Sequence, residues 1–506
     1  MAVLTVFAAT LQAQDLASFE KRTTVRKLAN GLTVIIMERP EAPVFSYATV
    51  VNVGSVNEVP GITGLAHMFE HMAFKGTDKI GTTNYAAESA ALARVEQTYA
   101  AYERARRAET GVDENAVKAA EKAWQDAIAE ANKYVVGNEF SKIVDRAGAV
   151  GVNASTASDT TFYYYSMPSN RLELWAYLES ERYLNPTLRE FYKERDVVYE
   201  ERRFRVDSNP IGRLVEQFLA AAFTAHPYGS WGIGWPSDLR SISATDAQAF
   251  YKKHYVPGNM VVAVVGDVKA SEAMPVIERY FGRLPAGPVP DPLRTVEPEQ
   301  KSERLVILRD TAQPIYLEGY HRPSVRHADD PVYSVLSMLL SSGRTSRLYK
   351  SLVRDKKIAA QASGFNGFPG EKYPNLFTFL AVPTPGHTAA EMTAEIGREL
   401  ERLKTEDVPA EELASVKARV KAGLLRQLDS NEGLALQLAM NQTIQGDWRE
   451  LFREVQKIDA VTAADIRRVA NATFIPTNRT IAQIESATKP AAPAAATPSA
   501  TKGESK

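Results

Sequence analysis

The sequence predicts an α+β protein made of two tandem, similar α/β domains, and three observations lead there. A chain of 506 residues is too long for one hydrophobic core. Strand-like stretches followed by long helical ones occur in the first half and again, in the same coarse order, in the second. Between them, "LPAGPVPDPLRTVEPEQ" (284–300) is Pro-rich with little apolar content, which marks a linker. The expected divisions are an N-terminal extension (1–20), a first domain (21–283), the linker (284–300), a second domain (301–485) and a tail (486–506).

Each element has a local reason. "GLTVIIMER" (31–39) and "FSYATVVNVGS" (45–55) are β-branched and bounded by Gly, Asn or Pro, so both predict strands. "GLAHMFEHMAFKGT" (64–77) predicts a helix capped near Thr63 and stopped at Gly76. Residues 84–135 are rich in Ala, Glu, Arg and Lys, with Leu, Val, Tyr and Trp at helical spacing. This predicts a helical hairpin, solvated on one face and divided at "TGVDE" (110–114). "TTFYYYSMP" (160–168) is a strand, and residues 171–206 are helical with a break near Asn185–Pro186. "HYVPGNMVVAVVGDV" (254–268) is a turn leading into a buried strand.

In the second half, "ERLVILRD", "QPIYLEGY" and "LFTFLAVP" are strand-like, while "PVYSVLSMLLSS" and "SRLYKSLVRDKK" are helical. The parallel order hints at duplication, although residue identity between the halves is too weak to establish it. The tail "ATKPAAPAAATPSATKGESK" has the low complexity of disorder. At the other end, "MAVLTVFAATLQAQ" combines a short apolar run with a cleavage-like "LQAQ" but lacks a basic start, the first basic residue being Lys21. It predicts a secretory signal and a periplasmic or secreted protein, with the cytoplasm as the alternative.

Composition excludes several classes. Lys plus Arg number 60 against 61 Asp plus Glu, and there is neither a P-loop nor a basic stripe, so nucleic acid and nucleotides find no support. No later stretch approaches the roughly 18 apolar residues of a membrane span. Cysteine is absent, so a metal here needs His and Asp/Glu ligands.

Such a ligand pair exists. His67 and His71 are four apart, on one face of the predicted helix, and Glu70 lies beside them. His-x-x-Glu-His is the inverse of the more familiar zinc-peptidase order. Catalytic zinc takes three protein ligands and leaves a position for water. Glu70 would then be the base that removes the water's proton and returns it to the leaving amine.

The third-ligand candidates lie in "FYKERDVVYEERR": Glu194, Glu200 and Glu201. Glu194 and Glu201 are seven apart and share a helix face, with Val197 and Val198 between them. Glu200 is rotated toward solvent. Glu201 is the favoured ligand, and Glu194 would orient a ligand or meet substrate. The alternative is that both glutamates pair with arginines such as Arg195 or Arg202.

Together with "KLANGLTVI", "VNVGSVNE", "VNASTASDTTFYYYSMPSNRLELWAYLESER", "HPYG" and "SGRTSRLYKSLVRDKKIA", these segments resemble the pitrilysin/insulinase/mitochondrial-processing-peptidase family of zinc metallopeptidases over about residues 25 to 485. The resemblance implies a half-unit of two similar domains, each a mostly antiparallel sheet with helices packed on it. It implies one Zn²⁺ per chain on His67, His71 and Glu201, with Glu70 as general base and Glu194 as auxiliary glutamate. Asn153 and Ala154 match the segment along which a peptide is held as an added strand.

Two departures stand out. Residues 84–135 lengthen the usual gap between the ligands, and the family's substrate-holding Arg and Tyr are matched by Arg354 and Gln361, so the Tyr is missing. Arg354 is equally read as an ordinary surface charge. The resemblance therefore implies a zinc endopeptidase acting on peptides or unfolded segments in a closed chamber, as a heterodimer with a metal-free paralogue, a homodimer being the alternative. The competing function is a non-catalytic or weakly active subunit of such an assembly.

Overall fold

Eleven strands form two sheets in the computed structural model, which describes residues 16–108 and 111–486. The first sheet takes β1 (Thr23–Lys27), β2 (Thr33–Glu38), β3 (Val44–Val51), β4 (Val150–Thr156), β5 (Thr161–Pro168) and β6 (Met260–Gly266), in the order β1-β2-β6-β3-β5-β4. The second takes β7 (Arg304–Asp310), β8 (Ile315–Arg322), β9 (Ala359–Phe368), β10 (Asn375–Pro383) and β11 (Arg479–Ser486), in the order β7-β11-β8-β10-β9.

Without β1 the two orders are one topology. In each half the first and last strands are parallel neighbours (Thr33 beside Val261, Thr480 beside Arg304), and every other pairing is antiparallel. The duplication hinted at by the residue pattern is a repeated sheet, with β4 and β9 as equivalent edge strands.

Burial explains the strand chemistry. β6, "MVVAVVG", is buried throughout because it is central and both of its faces are covered. On β5, Tyr163, Tyr165 and Met167 enter the helix-side core with Trp175 and Leu178, while Phe162 and Tyr164 lie against the opposite layer.

That opposite layer is exchanged between the halves. Helix Asn431–Ile444, from the second half, seats Leu434, Ala435 and Leu438 on Ile35, Ala48, Val50 and Ala263 of the first sheet. Helix Pro210–Ala222, from the first half, seats Leu214, Phe218 and Leu219 on Ile315, Leu317, Ala482 and Ile484 of the second. The linker is strapped down as well. Glu297 accepts the N–H groups of Thr224, Ala225 and His226, and Gln300 donates to the Arg479 carbonyl.

The predicted hairpin is formed by Tyr85–Arg106 and Glu114–Ala131. It is not detached. Tyr99 and Trp124 are buried around Arg195, whose guanidinium donates to the Tyr99 hydroxyl (2.8 Å) and the Ile242 carbonyl (3.1 Å). Arg189 is likewise buried between Glu88 (2.6 Å) and the carbonyls of Lys75, Thr77 and Ile80.

Some expectations need correction. "SRLYKSLVRDKK" forms a short stretch of wide π turns (Tyr349–Asp355) rather than a long helix, and a separate strand, β4, precedes the aromatic run and pairs antiparallel with it. Leu16–Arg22 is a helix whose Phe19 ring packs on Phe452 at 4.3 Å, so the folded body begins before residue 21. The apolar N-terminal run expected as a signal (1–15) and the tail beyond Ser486 lie outside the described residues. Among the described residues, no helix is long and apolar enough to cross a membrane.

Candidate metal centre

The helix Leu65–Met72 buries Leu65, Ala66, Met68, Phe69 and Met72 in the first core, which leaves His67, Glu70 and His71 on its other face. Its start differs from the expected Thr63 cap. The N-cap is Gly64 at φ +93°, where an added Cβ would stand 2.7 Å from Leu239 and 2.9 Å from the Ile233 carbonyl oxygen. The free N–H groups of the first turn go instead to a buried carboxyl group. Glu58 accepts from Gly64 and Ala66, both at 2.8 Å. Asp238 holds the approach, accepting from the N–H groups of Gly61 and Thr63 and from the Thr63 hydroxyl. Burial pushes the Glu58 carboxyl up to about 8 against the pull of its two N–H donors.

The second wall is the helix Phe191–Arg202. Val198 is buried, but Val197 is exposed, so the apolar stripe between the glutamates is narrower than expected. Glu200 points to solvent and pairs with Arg203. Among the described residues Glu194 pairs with no arginine, whereas Glu201 does pair with one, Arg205 Nη2 at 2.7 Å from Oε1, in place of Arg195 or Arg202. Glu201 Oε2 lies 3.7 Å from His67 Nε2 and 3.5 Å from His71 Nε2. Glu194 Oε2 lies 3.4 Å from His71 Nδ1, and its other oxygen is 2.5 Å from Lys75 Nζ.

His67, His71 and Glu201 offer ligand atoms within 4.8 Å of one another, and among the described residues they are the only such group. A tetrahedral ion with bonds of about 2.0–2.1 Å separates its ligand atoms by roughly 3.4 Å. The two imidazole–carboxylate spacings match this, and they are too long for direct hydrogen bonds. The donor set suits zinc in an open site: two neutral-capable imidazoles, one carboxylate and no thiolate.

The electrostatics agree with that fit. Burial drives His67 down to about 3, with the charges of His71 and Arg205 adding to it, so its ring is neutral and free to ligate. The Glu194 carboxylate, 3.4 Å from Nδ1, raises His71. Burial alone would raise Glu194, but His71 and Lys75 hold it down to about 2. Glu194 Oε2 thus faces His71 Nδ1, while Nε2 faces Glu201. Burial also lifts the Glu70 carboxyl above the ordinary carboxylate value, opposed by hydrogen bonding from Thr156.

These residues open on a cavity of about 620 Å³. Asn153 and Ala154, on the edge strand β4, line it beside Glu70. Val206, Leu219, Trp231 and Ile233 add apolar lining, and the second half adds Phe368 and Pro369. Asp159 ties the halves at this point by accepting from Tyr228 Oη (2.6 Å) and from the N–H groups of Glu371 (2.7 Å) and Lys372 (3.0 Å). Arg354 lies outside the cavity, exposed and paired with Asp355, and Gln361 is exposed on β9. Sequence reasoning missed Glu58, Lys75 and Arg205. The donors that every helix start must satisfy were a signal for Glu58, since it stands six residues before Gly64.

A repeated α+β sheet carrying His-x-x-Glu-His opposite a glutamate-bearing helix defines a metallopeptidase-type site. The comparisons agree. The insulinase (peptidase family M16) model matches residues 33–106, and the peptidase M16 inactive domain model matches residues 241–420. The chain belongs to this peptidase family. It is 29% identical over 488 residues to the zinc protease PqqE of Helicobacter pylori, covering 94% of this chain and 95% of that one. The crystal structure of a protease from Helicobacter pylori matches with a TM-score of 0.76 at 28% identity, over 92% of this chain and 99% of that one. The periplasmic protease PqqL from Escherichia coli shares the fold at a TM-score of 0.67 and 18% identity, over 92% of this chain but 48% of that one.

Proposed function

We propose that this chain is the zinc-bearing half of an endopeptidase that cuts peptides or unfolded segments. The observation that carries the reading is the convergence of His67 Nε2 and His71 Nε2 on one oxygen of Glu201, with Glu70 on the same helix face. A zinc ion held there would act as a Lewis acid toward a peptide carbonyl and make water a competent nucleophile near neutral pH.

The chain's own residues supply the rest. Glu70, with a raised affinity for protons, takes one from the attacking water and returns it to the leaving amine. Glu194 keeps His71 in the tautomer that presents Nε2. The open edge of β4 at Asn153 and Ala154 offers main-chain N–H and C=O groups to an extended peptide, which binds with little demand on its side chains.

The position of Arg354 and the presence of Gln361 support a second chain that completes the substrate clamp, and a metal-free paralogue is the partner we favour. That the chain spans about half of PqqL is in keeping with a second half-unit. The test is zinc content and peptide cleavage for wild type and Glu70→Gln, alone and with candidate partner chains. Glu70→Gln should retain zinc and lose about 10²–10⁴-fold in rate. Unchanged cleavage would remove Glu70 from the mechanism, and a wild type devoid of zinc would favour the non-catalytic subunit.

A further inference from the structure

The run "EERRFRVD" (200–207) carries three arginines, and each has a different partner. Arg202 turns inward and donates to the Gly234 carbonyl (2.6 Å) and to Glu216 (2.8 Å). Arg203 pairs with Glu200 in solvent at 2.8 Å. Only Arg205 lines the metal cavity, with Nη2 2.7 Å from Glu201 Oε1. It is set there by a wide π turn, Arg203–Asp207, which follows the glutamate helix directly.

The two oxygens of Glu201 therefore have separate partners: Oε2 faces the imidazoles and Oε1 is taken by Arg205. We propose that Arg205 is a positioning residue that keeps Glu201 a one-oxygen ligand. This rests on the zinc reading above. A charge-assisted hydrogen bond to Oε1 fixes the carboxylate's rotation and withdraws that oxygen from the ion. The remaining coordination position then stays open for water and substrate. Without the guanidinium, Glu201 is free to turn and bind through both oxygens, closing that position.

An ordinary surface pair has no such consequence. The Arg205 side chain is 64% exposed against 19% for Glu201, so the arginine contributes little to folding while its partner is held within the site.

The test uses the full chain as wild type, Arg205→Ala, Arg205→Gln and Arg205→Lys. Zinc affinity is read by competition with a chromophoric chelator, and coordination number by the visible band intensity of the cobalt-substituted protein. Arg205→Ala should weaken zinc about 10–100-fold, as losses of such supporting contacts do. Its cobalt bands should lose intensity as Glu201 becomes a two-oxygen ligand. Arg205→Lys, which keeps a charged donor for Oε1, should restore most of both signals, and Arg205→Gln should fall between.

Wild-type affinity and spectrum in Arg205→Ala would overturn the proposal. So would weaker zinc with an unchanged cobalt spectrum, since charge alone would then explain the loss. A wild type that takes up neither metal would instead overturn the zinc reading, so the two failures are distinct.

Discussion

Replacing Glu58 with alanine tests whether the histidine helix is held from its N-terminus. The Glu58 carboxyl accepts the N–H groups of Gly64 and Ala66 in a buried position, so the variant leaves two buried donors unpaired. Each unsatisfied donor costs about 1–3 kcal/mol, so the loss should be roughly 2–6 kcal/mol. That is a large part of the 5–15 kcal/mol that holds a typical protein together. Glu58→Gln retains one acceptor oxygen and should lose about half as much.

The pH dependence has a definite sign. The folded protein holds the Glu58 proton up to about 8, while the unfolded chain releases it near 4.5. Its contribution is fully present below the unfolded value and fades as pH rises through the folded one. The advantage of wild type over Glu58→Ala, measured by urea denaturation, should therefore be larger near pH 6 than near pH 9. A loss under about 1 kcal/mol at both pH values, or one that grows with pH, would refute the capping role.

Two further outcomes follow from the same geometry. His71 is raised above its ordinary value by Glu194, so protons compete with a metal there, and zinc retention in dialysis should decline as pH falls; retention unchanged down to strongly acid pH would refute His71 as a ligand. Trp124→Ala removes a ring stacked on Tyr102 at 5.4 Å and edge-on to Tyr192 at 5.1 Å. It should cost about 3–5 kcal/mol in denaturation yet leave zinc stoichiometry at one per chain; loss of zinc would show that the hairpin positions the glutamates.

Periodicity made much of this legible. The four-residue spacing of His67 and His71 and the seven-residue spacing of Glu194 and Glu201 each place a pair on one helix face, and the structure brings those faces together. Strands β2, β3, β5, β6 and β10 are β-branched or aromatic runs that turn residues bracket. Edge strands were harder: β9 reads "AAQASGFNGF", with small and polar residues, because one side of an edge strand has no neighbour to fill.

Glu58 acts through a contact that periodicity does not encode, and Arg205 through one that it does. Glu58 meets a backbone turn rather than a side chain, whereas Arg205 stands four residues after Glu201, a helical spacing the sequence did offer. The exchanged helices were equally hidden, since apolar spacing shows that a helix has a buried face but not which sheet covers it.

That exchange also determines how the molecule can move. Swinging the two sheets apart would pull Leu434 and Leu438 off Ile35 and Val50, and Phe218 off Leu317, stripping both β layers at once. Cutting the chain in the linker would leave two fragments, each with a bare apolar sheet and an unhoused helix, so neither half is an independent folding unit. A hinge motion between the sheets would have to break both packings together. The part of the metal cavity's lining that the second half supplies, Phe368 and Pro369, is thereby held against the first half by two helices at once.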